Sequence, residues 1–191
     1  MGITTSLDEE LPTKIIFLDI DGVLNNDQSA STLLPYPIEN NLLKILKRIV
    51  VATGAVIVLS SNWRYRMDNR NRVQNALGSV EISPFISCIP NFGNNRTDEI
   101  IYWIQNNTDF SDNSIQLAPI EHTTEQTPDH LPPSLCKVAK RLHTTHWIAI
   151  DDMNLKKKGS NTAHIANHFV HVNGTIGLTE KDADLAIRLL Q

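Results

Sequence analysis

The chain has 191 residues, 41% of them hydrophobic, which predicts one globular domain with a substantial core. Lys and Arg number 17 against 21 Asp and Glu, so the net charge of −4 excludes a general affinity for polyanions and any basic site must be local. The longest apolar stretch, residues 49–59, is shorter than the roughly 20 residues of a membrane-spanning helix, so no transmembrane segment is expected.

The first ten residues carry neither the basic nor the apolar region of a secretory signal, so an intracellular, cytoplasmic protein is expected. Residues 1–6, MGITTS, fit the loose pattern for N-myristoylation. The acidic residues 8–10 that follow provide no second membrane signal, which favours an ordinary N-terminus over an anchored one.

The apolar pattern alternates between short strand-like runs and helical stretches, which indicates an α/β fold. Residues 14–20 form a nearly continuous apolar run, typical of a strand buried on both faces. Helical periodicity over 38–51 and a second strand at 55–60 complete the strand, helix, strand unit of a parallel sheet. The sequence therefore predicts a Rossmann-like, three-layer sandwich around a central parallel sheet.

Further elements follow the second strand in the same alternating order. Residues 108–133 differ from them, because they are polar, include four prolines and exceed the usual length of a connection. They predict a surface insertion or flap within a single domain over 1–191. The other predicted elements are a helix at 67–77, a strand at 85–89, a helix beginning at 97, strands at 147–150 and 168–172, and a helix at 179–190.

Polar residues follow three of the predicted strands directly. The first strand leads into Asp19 and Asp21, the second into Ser60, and the strand beginning at Trp147 into Asp151 and Asp152. In open parallel sheets, ligands bind beyond the carboxyl ends of the strands. Carboxylates that meet there repel one another unless a cation neutralises them, and hard oxygen ligands suit Mg²⁺. A magnesium site is therefore predicted at this edge.

These motifs resemble those of the haloacid dehalogenase (HAD) superfamily of aspartate-nucleophile phosphotransferases. The apolar run that ends in Asp-Ile-Asp-Gly at 19–22 matches its first motif, the strand that ends at Ser60 its second, and the acidic pair at 151–152 its fourth. More narrowly, LSSNWR at 59–64, RTDEIIYW at 96–103 and WIAIDD at 147–152 resemble the HAD domains of Swiss Army Knife RNA repair proteins.

The resemblance implies a mechanism and a role for each matched residue. Asp19 would attack phosphorus to form an aspartyl-phosphate, and Asp21 would act as the general acid and base. Ser60 would donate a hydrogen bond to a phosphoryl oxygen. Mg²⁺ would be held by Asp19, the main-chain carbonyl of Asp21 and Asp152, with Asp151 further out or bound through water.

The superfamily's third motif, a Lys or sometimes an Arg, is not fixed by the pattern. Arg96 is the first choice, because a cation that opens a helix needs a reason to oppose the helix dipole. Lys137 is the alternative. It lies only 15 residues before Asp152, which is tight for a helix and a strand.

The region around the predicted site favours a large phosphorylated substrate. Only 38 residues separate Asp21 from Ser60, which leaves no room for a large cap domain. After the second motif, Ser61, Asn62, Arg64 and Arg66 are candidate substrate-binding residues. The cations predicted to form a basic rim are Arg64, Arg66, Arg70, Arg72 and Lys156–Lys158.

Two functional classes stay open at this point. The first is a Mg²⁺-dependent phosphomonoesterase acting on nucleic-acid ends or nucleotides. Trp63 and Tyr65 would then either stack on a base or anchor their loop to the core. The second is a catalytically weak or inactive HAD-like domain that binds phosphorylated partners. The intact pair Asp19 and Asp21 favours the enzyme.

Overall fold

A computed structural model describes residues 13–26, 37–92, 95–109, 133–157 and 161–191. Within these ranges, five parallel strands form one sheet with the order β3-β2-β1-β4-β5, which confirms the predicted α/β fold. The strands are β1 (Thr13–Leu18), β2 (Val56–Leu59), β3 (Ser87–Cys88), β4 (Thr144–Asp151) and β5 (Phe169–His171). The helices are α1 (Asn40–Thr53), α2 (Met67–Ser79), α3 (Arg96–Asn107), α4 (Thr162–Ile165) and α5 (Glu180–Leu189).

The central strand β1 supplies both hydrophobic cores, because its successive side chains point to opposite faces of the sheet. Ile16 and Leu18 pack into one core with side chains of α1, α2 and α5. Ile15 and Phe17 pack into the other core with α3 and α4. The result is the predicted three-layer sandwich, and the part of the chain that the structure describes contains no large cap domain.

The α1 helix shows how local sequence sets the boundaries of the elements. Leu42, Leu46 and Ile49 recur at helical spacing and are buried against the sheet. The helix ends at Gly54, whose φ of 68° lies in the left-handed region that glycine adopts without strain. Its N–H donates to the Val50 carbonyl at 2.8 Å, and this bond closes the last turn before β2.

The strands β3 and β4 differ most in length from the sequence prediction. β4 begins at Thr144 rather than at Trp147, because its polar first residues pair with the start of β1. β3 is only two residues long and lies at the edge of the sheet. Hydrogen bonds from Ile86 to the Ile57 carbonyl and from Ile89 to the Leu59 carbonyl nevertheless extend its contact with β2 across the predicted range.

The base of the predicted insertion is held by backbone hydrogen bonds. The Asp109 N–H donates to the Leu142 carbonyl at 3.0 Å, and the Leu142 N–H donates to the Asn107 carbonyl at 2.9 Å. These bonds hold the start of the segment, at the end of α3, beside Leu142 shortly before β4. The rest of the predicted 108–133 insertion, residues 110–132, lies outside the described residues.

None of the helices in the described ranges combines the length and the apolar character that crossing a bilayer requires.

Candidate active site

The strand order places the first and fourth motifs side by side. From β1 the chain continues toward one edge of the sheet through β2 and β3, whereas β4 and β5 lie on the other side of β1. Ligands of such sheets bind in the crevice at this point of divergence. The Asp19 N–H donates to the Ile150 carbonyl at 3.0 Å, and the Ser60 N–H donates to the Leu18 carbonyl at 2.9 Å. Asp19 therefore lies between the ends of β2 and β4.

Arg96 links the carboxylates that end these two strands. Its Nη1 lies 2.7 Å from Asp19 Oδ2 and 2.7 Å from Asp151 Oδ2, and all three side chains are buried. Burial alone would lower the pKa of Arg96, but the two carboxylates more than offset this effect, so its pKa lies above the ordinary value. Arg96 is therefore a fixed positive charge beside Asp19.

Lys137 lies far from Arg96 and from the two carboxylates that Arg96 contacts. Asn107, in the last turn of α3, donates through Nδ2 to the Cys136 carbonyl at 3.1 Å and accepts from the Val138 N–H at 3.0 Å. Lys137 is thus beside the end of the helix that Arg96 begins. At 1.5 Å per residue, the two ends of this helix are about 16 Å apart. The geometry favours Arg96 over Lys137 as the third-motif cation.

Three carboxylates at this edge form a candidate metal site. Asp19, Asp151 and Asp152 each offer an oxygen, and these oxygens lie within 4.8 Å of one another. Burial, and then the charge of Asp19, raises the pKa of Asp151 to about 7, and the same two causes raise the pKa of Asp152. One Arg96 does not neutralise three carboxylates. This set of hard oxygen donors therefore fits a divalent cation such as Mg²⁺.

Asp151 and Asp152 differ in their surroundings. Both oxygens of Asp151 already accept hydrogen bonds, Oδ1 from the Met153 N–H at 2.8 Å and Oδ2 from Arg96. The half-buried carboxylate of Asp152 instead faces two glycines. A Cβ on Gly22 would lie 2.5 Å from Asp152 Oδ2, and one on Gly174 would lie 2.7 Å from the same atom. The Asp152 carboxylate therefore leaves space only for glycine at positions 22 and 174.

Ser60 presents a buried hydroxyl directly after β2. The side chain is 1% exposed, and its Oγ has no hydrogen-bond partner among the residues that the structure describes. A buried hydroxyl without a partner is unfavourable unless a ligand completes its hydrogen bonding. Its position after β2, next to the Asp19 strand, fits the predicted contact with a phosphoryl oxygen.

Asp21 lies apart from the acidic group formed by Asp19, Asp151 and Asp152. Its exposed carboxylate accepts hydrogen bonds from Trp63 Nε1, at 3.0 Å to Oδ1 and 2.9 Å to Oδ2. Asn25 Nδ2 also donates to Oδ1 at 3.0 Å. Of the two roles considered for Trp63, its burial in the core fits the loop anchor. Its contact with Asp21 has no signal in the sequence, because the two residues are 42 positions apart.

The structure corrects the expected position of Arg64. This side chain is 1% exposed and forms an ion pair with Glu99 at 2.9 Å, so it does not belong to a solvated rim. Its Nη1 donates to the carbonyls of Ser60 and Ser61 at 2.9 and 3.0 Å. A planar guanidinium can satisfy several acceptors at once, and here it holds the loop after β2 against α3.

Two further arginines of the predicted rim are also engaged by the protein. Arg70 donates to the Arg64 carbonyl at 2.6 Å, and the Arg72 guanidinium lies 4.6 Å from the centre of the Trp63 ring. Arg66 is exposed. Lys156 and Lys157 are exposed as well, whereas Lys158 lies outside the described residues. The basic rim is therefore smaller than the sequence predicts.

The remaining candidates, Ser61 and Asn62, lie on the same loop. Ser61 is buried, and its Oγ accepts from the Trp63 N–H at 3.4 Å, which caps the 3₁₀ turn that follows. Asn62 is exposed at the surface of the site, and its Oδ1 accepts from Arg96 Nη2 at 3.4 Å. Asn62 is therefore the better placed of the two to reach a substrate.

Sequence reasoning did not identify Glu99 or Gly174. Glu99 looks like an ordinary acidic residue in the first turn of a helix, because its partner Arg64 is 35 positions away. Asn173-Gly174 is a typical turn signal directly after a predicted strand. The position of this turn at the same edge of the sheet as the acidic residues is the signal that could have identified Gly174.

Comparison with known proteins agrees with this geometry. The family model for the HAD domain in Swiss Army Knife RNA repair proteins matches residues 15–183. No curated protein and no solved structure matches the chain. The matched range includes the ends of β1, β2 and β4 and the start of α3, which together form the candidate site. The chain belongs to the family of HAD domains of Swiss Army Knife RNA repair proteins.

Proposed function

We propose that this protein is a Mg²⁺-dependent phosphomonoesterase that uses Asp19 as its nucleophile and acts on phosphorylated nucleic-acid ends or nucleotides. The observation that carries the proposal is the Asp19 carboxylate, held 2.7 Å from Arg96 and grouped with Asp151 and Asp152 at the carboxyl edge of the sheet. Membership of the HAD family supports the same chemistry.

In the first step, an oxygen of Asp19 attacks phosphorus, and the bond between phosphorus and the leaving oxygen breaks. Asp21 gives its proton to that oxygen, so the alcohol leaves and an aspartyl-phosphate remains. In the second step, Asp21 takes a proton from a water molecule whose oxygen attacks phosphorus. The bond from Asp19 to phosphorus breaks, inorganic phosphate leaves, and both carboxyl groups return to their starting states.

Ser60 and Arg96 assist from fixed positions. The Ser60 hydroxyl is buried and has no partner in the described structure, so it is available to donate to a phosphoryl oxygen. Arg96 keeps the Asp19 carboxylate in place and offsets its charge as a phosphate dianion approaches. Both groups are placed before the substrate arrives, which reduces the reorganisation needed during the reaction.

Asp19, Asp151 and Asp152 would hold Mg²⁺, with the main-chain carbonyl of Asp21 as a further oxygen donor. When bound, the ion would neutralise charge on the phosphoryl group and on the nucleophile. The fit rests on the donor chemistry and on an excess of negative charge that Arg96 only partly offsets.

The substrate class rests on two observations. The family description names RNA repair proteins, which favours an RNA substrate. In addition, the described ranges show no cap over the site, and the exposed side chains of Asn62 and Arg66 lie on the loop next to it. An open site of this kind accommodates a polymer end, whereas a small sugar phosphate would remain largely solvated.

The test is a phosphatase screen with Mg²⁺ over 3′- and 5′-phosphorylated oligonucleotides, mononucleotides, phosphopeptides and sugar phosphates. The control is Asp19→Asn, which keeps the size of the side chain but removes the nucleophile. We expect phosphate release by the wild type and none by the variant. Mass spectrometry after an acid quench should detect the phosphorylated form of the wild-type protein but not of the variant. Binding of phosphorylated oligonucleotides without turnover would instead support the non-catalytic binding domain.

A further inference from the structure

Trp63 connects the ends of two strands that carry different parts of the site. It lies in the 3₁₀ turn Asn62–Tyr65 after β2, whereas Asp21 lies after β1. The two residues are 42 positions apart, yet the single indole N–H lies between both oxygens of the Asp21 carboxylate. This two-oxygen contact, together with the bond from Asn25 to Oδ1, restrains both the position and the orientation of the carboxyl group.

We propose that Trp63 is a positioning residue that holds the Asp21 carboxyl group in the orientation needed to exchange a proton with the substrate. This inference rests on the proposed phosphatase function. It goes beyond that function because it assigns the control of the general acid to a residue on a different loop.

Because the Asp21 side chain is exposed, its carboxyl group needs a contact that restrains its orientation. The terminal torsion of an aspartate rotates broadly, so an exposed carboxyl group samples many orientations. The Trp63 ring is 7% exposed and packs in the core, and the Arg72 guanidinium lies 4.6 Å from its centre on the ring face. A rigid donor therefore restrains a mobile acceptor, which lowers the entropy lost on reaching the transition state.

The other donor, Asn25, makes the two carboxylate oxygens unequal. Oδ1 accepts from both Trp63 and Asn25, whereas Oδ2 accepts from Trp63 alone among the described residues. Asn25 is itself held, because its Oδ1 accepts from the Gly22 N–H at 2.9 Å. Oδ2 is consequently the oxygen with more capacity left for the exchanged proton.

The test compares two substrates of nearly the same shape, p-nitrophenyl phosphate and phenyl phosphate. Phenolate is the poorer leaving group, so its departure depends more on protonation by Asp21. Trp63→Phe keeps an aromatic ring and removes the N–H. A positioned general acid contributes roughly a hundredfold or more, so we expect kcat/KM for phenyl phosphate to fall about tenfold. For p-nitrophenyl phosphate, kcat/KM should change much less.

Trp103→Phe is the matched control, because Trp103 Nε1 also loses a hydrogen bond, to Ser87 Oγ at 2.9 Å, away from Asp21. It should affect both substrates equally. In an Asp21→Asn background, Trp63→Phe should cause no further loss that depends on the leaving group. The inference would be overturned if Trp63→Phe lowered kcat/KM equally for both substrates. It would also be overturned if Trp63→Phe lowered kcat/KM for phenyl phosphate selectively, to the same extent, in the Asp21→Asn background. Inactive wild type, or an active Asp19→Asn variant, would instead contradict the proposed phosphatase.

A measurement that needs no turnover keeps the inference testable if Trp63→Phe does not fold. The chain has three tryptophans, so Trp103→Phe and Trp147→Phe identify the Trp63 indole N–H signal in an NMR spectrum by elimination. Asp21→Ala should shift that signal by removing its acceptor. An unchanged Trp63 signal would show that the contact is absent in solution and would overturn the inference.

Discussion

Arg64 and Glu99 form a buried ion pair at 2.9 Å beside the loop that carries Ser60. Glu99 lies in the first turn of α3, and its second oxygen accepts from the Phe92 N–H at 2.9 Å. Through Arg64, the same pair reaches the carbonyls of Ser60 and Ser61. These contacts together hold the loops after β2 and β3 against the start of the helix that carries Arg96.

Glu99→Ala should therefore destabilise the fold. Removing one partner of a buried ion pair leaves the other charge buried without compensation, which costs about 3–5 kcal/mol of unfolding free energy. Urea unfolding measures this loss. Arg48→Ala, which breaks exposed ion pairs with Glu180 and Asp184, is the control and should cost far less. If Glu99→Ala changed only KM and left stability intact, Arg64 would be a substrate-binding residue, as its position in the sequence first suggested.

Arg96 and Lys137 can be separated by their effects on turnover. Arg96→Ala removes the cation 2.7 Å from Asp19 and should lower kcat by roughly a hundredfold to a thousandfold, the usual range for one electrostatic donor in a site. Lys137→Ala should leave kcat near the wild-type value, because that exposed residue lies beside the far end of α3. The reverse ranking would assign the third motif to Lys137.

Mg²⁺ should raise the melting temperature of the protein, because a ligand that binds only the folded state stabilises it. EDTA should reverse this shift and stop turnover. Asp152→Ala should weaken Mg²⁺ binding more than Asp151→Ala, since both oxygens of Asp151 already accept protein hydrogen bonds. Calorimetric titration with Mg²⁺ measures the two affinities. A greater loss in Asp151→Ala would exchange the roles of the two residues.

Gly174→Ala tests the space around Asp152. The new Cβ would lie 2.7 Å from Asp152 Oδ2, so the carboxylate must move. Displacing a metal ligand through its surroundings commonly costs about 10–100-fold in affinity, and we expect a loss in this range for Mg²⁺. Gly78→Ala is the control, because a Cβ there has no neighbour within 4 Å in the described structure. Equal Mg²⁺ affinity in the two variants would mean that Asp152 does not bind the ion.

The fold was predictable because each element carries its own local signal. The apolar run in β1 and the helical spacing in α1 depend on neighbouring residues, and both form close to where they were expected. Asp19 and Ser60 became candidates for the same reason, since each follows its strand directly, and Asp21 lies only two residues beyond Asp19. Polar ends of strands are visible without knowledge of the tertiary structure.

Tertiary contacts between distant residues could not be predicted in this way. The sequence places Arg64 among exposed arginines, and only the packing of α3 brings Glu99 beside it. Likewise, Trp63 and Asp21 meet because β1 and β2 are neighbours in the sheet. The start of β4 at Thr144 depends on pairing with β1 rather than on the apolar run from Trp147.

The size of the substrate can be tested at Arg66, the exposed arginine of the loop after β2. Arg66→Ala should raise KM for a phosphorylated oligonucleotide several-fold at low salt and leave KM for p-nitrophenyl phosphate nearly unchanged, because only the polymer brings further phosphates to the rim. The difference should shrink as salt rises, since salt screens exposed charges. Arg188→Ala is the control, because Arg188 is an exposed cation in the last turn of α5.

An unphosphorylated oligonucleotide added as a competitor separates backbone binding from recognition of the terminal phosphate. It should inhibit the wild type more strongly than Arg66→Ala if Arg66 contacts the backbone. Equal KM changes for the two substrates, or a change that does not depend on salt, would remove the support that Arg66 gives to a nucleic-acid substrate. Hydrolysis through Asp19 would be unaffected by that result, because Asp19 and Arg96 act on the phosphoryl group itself.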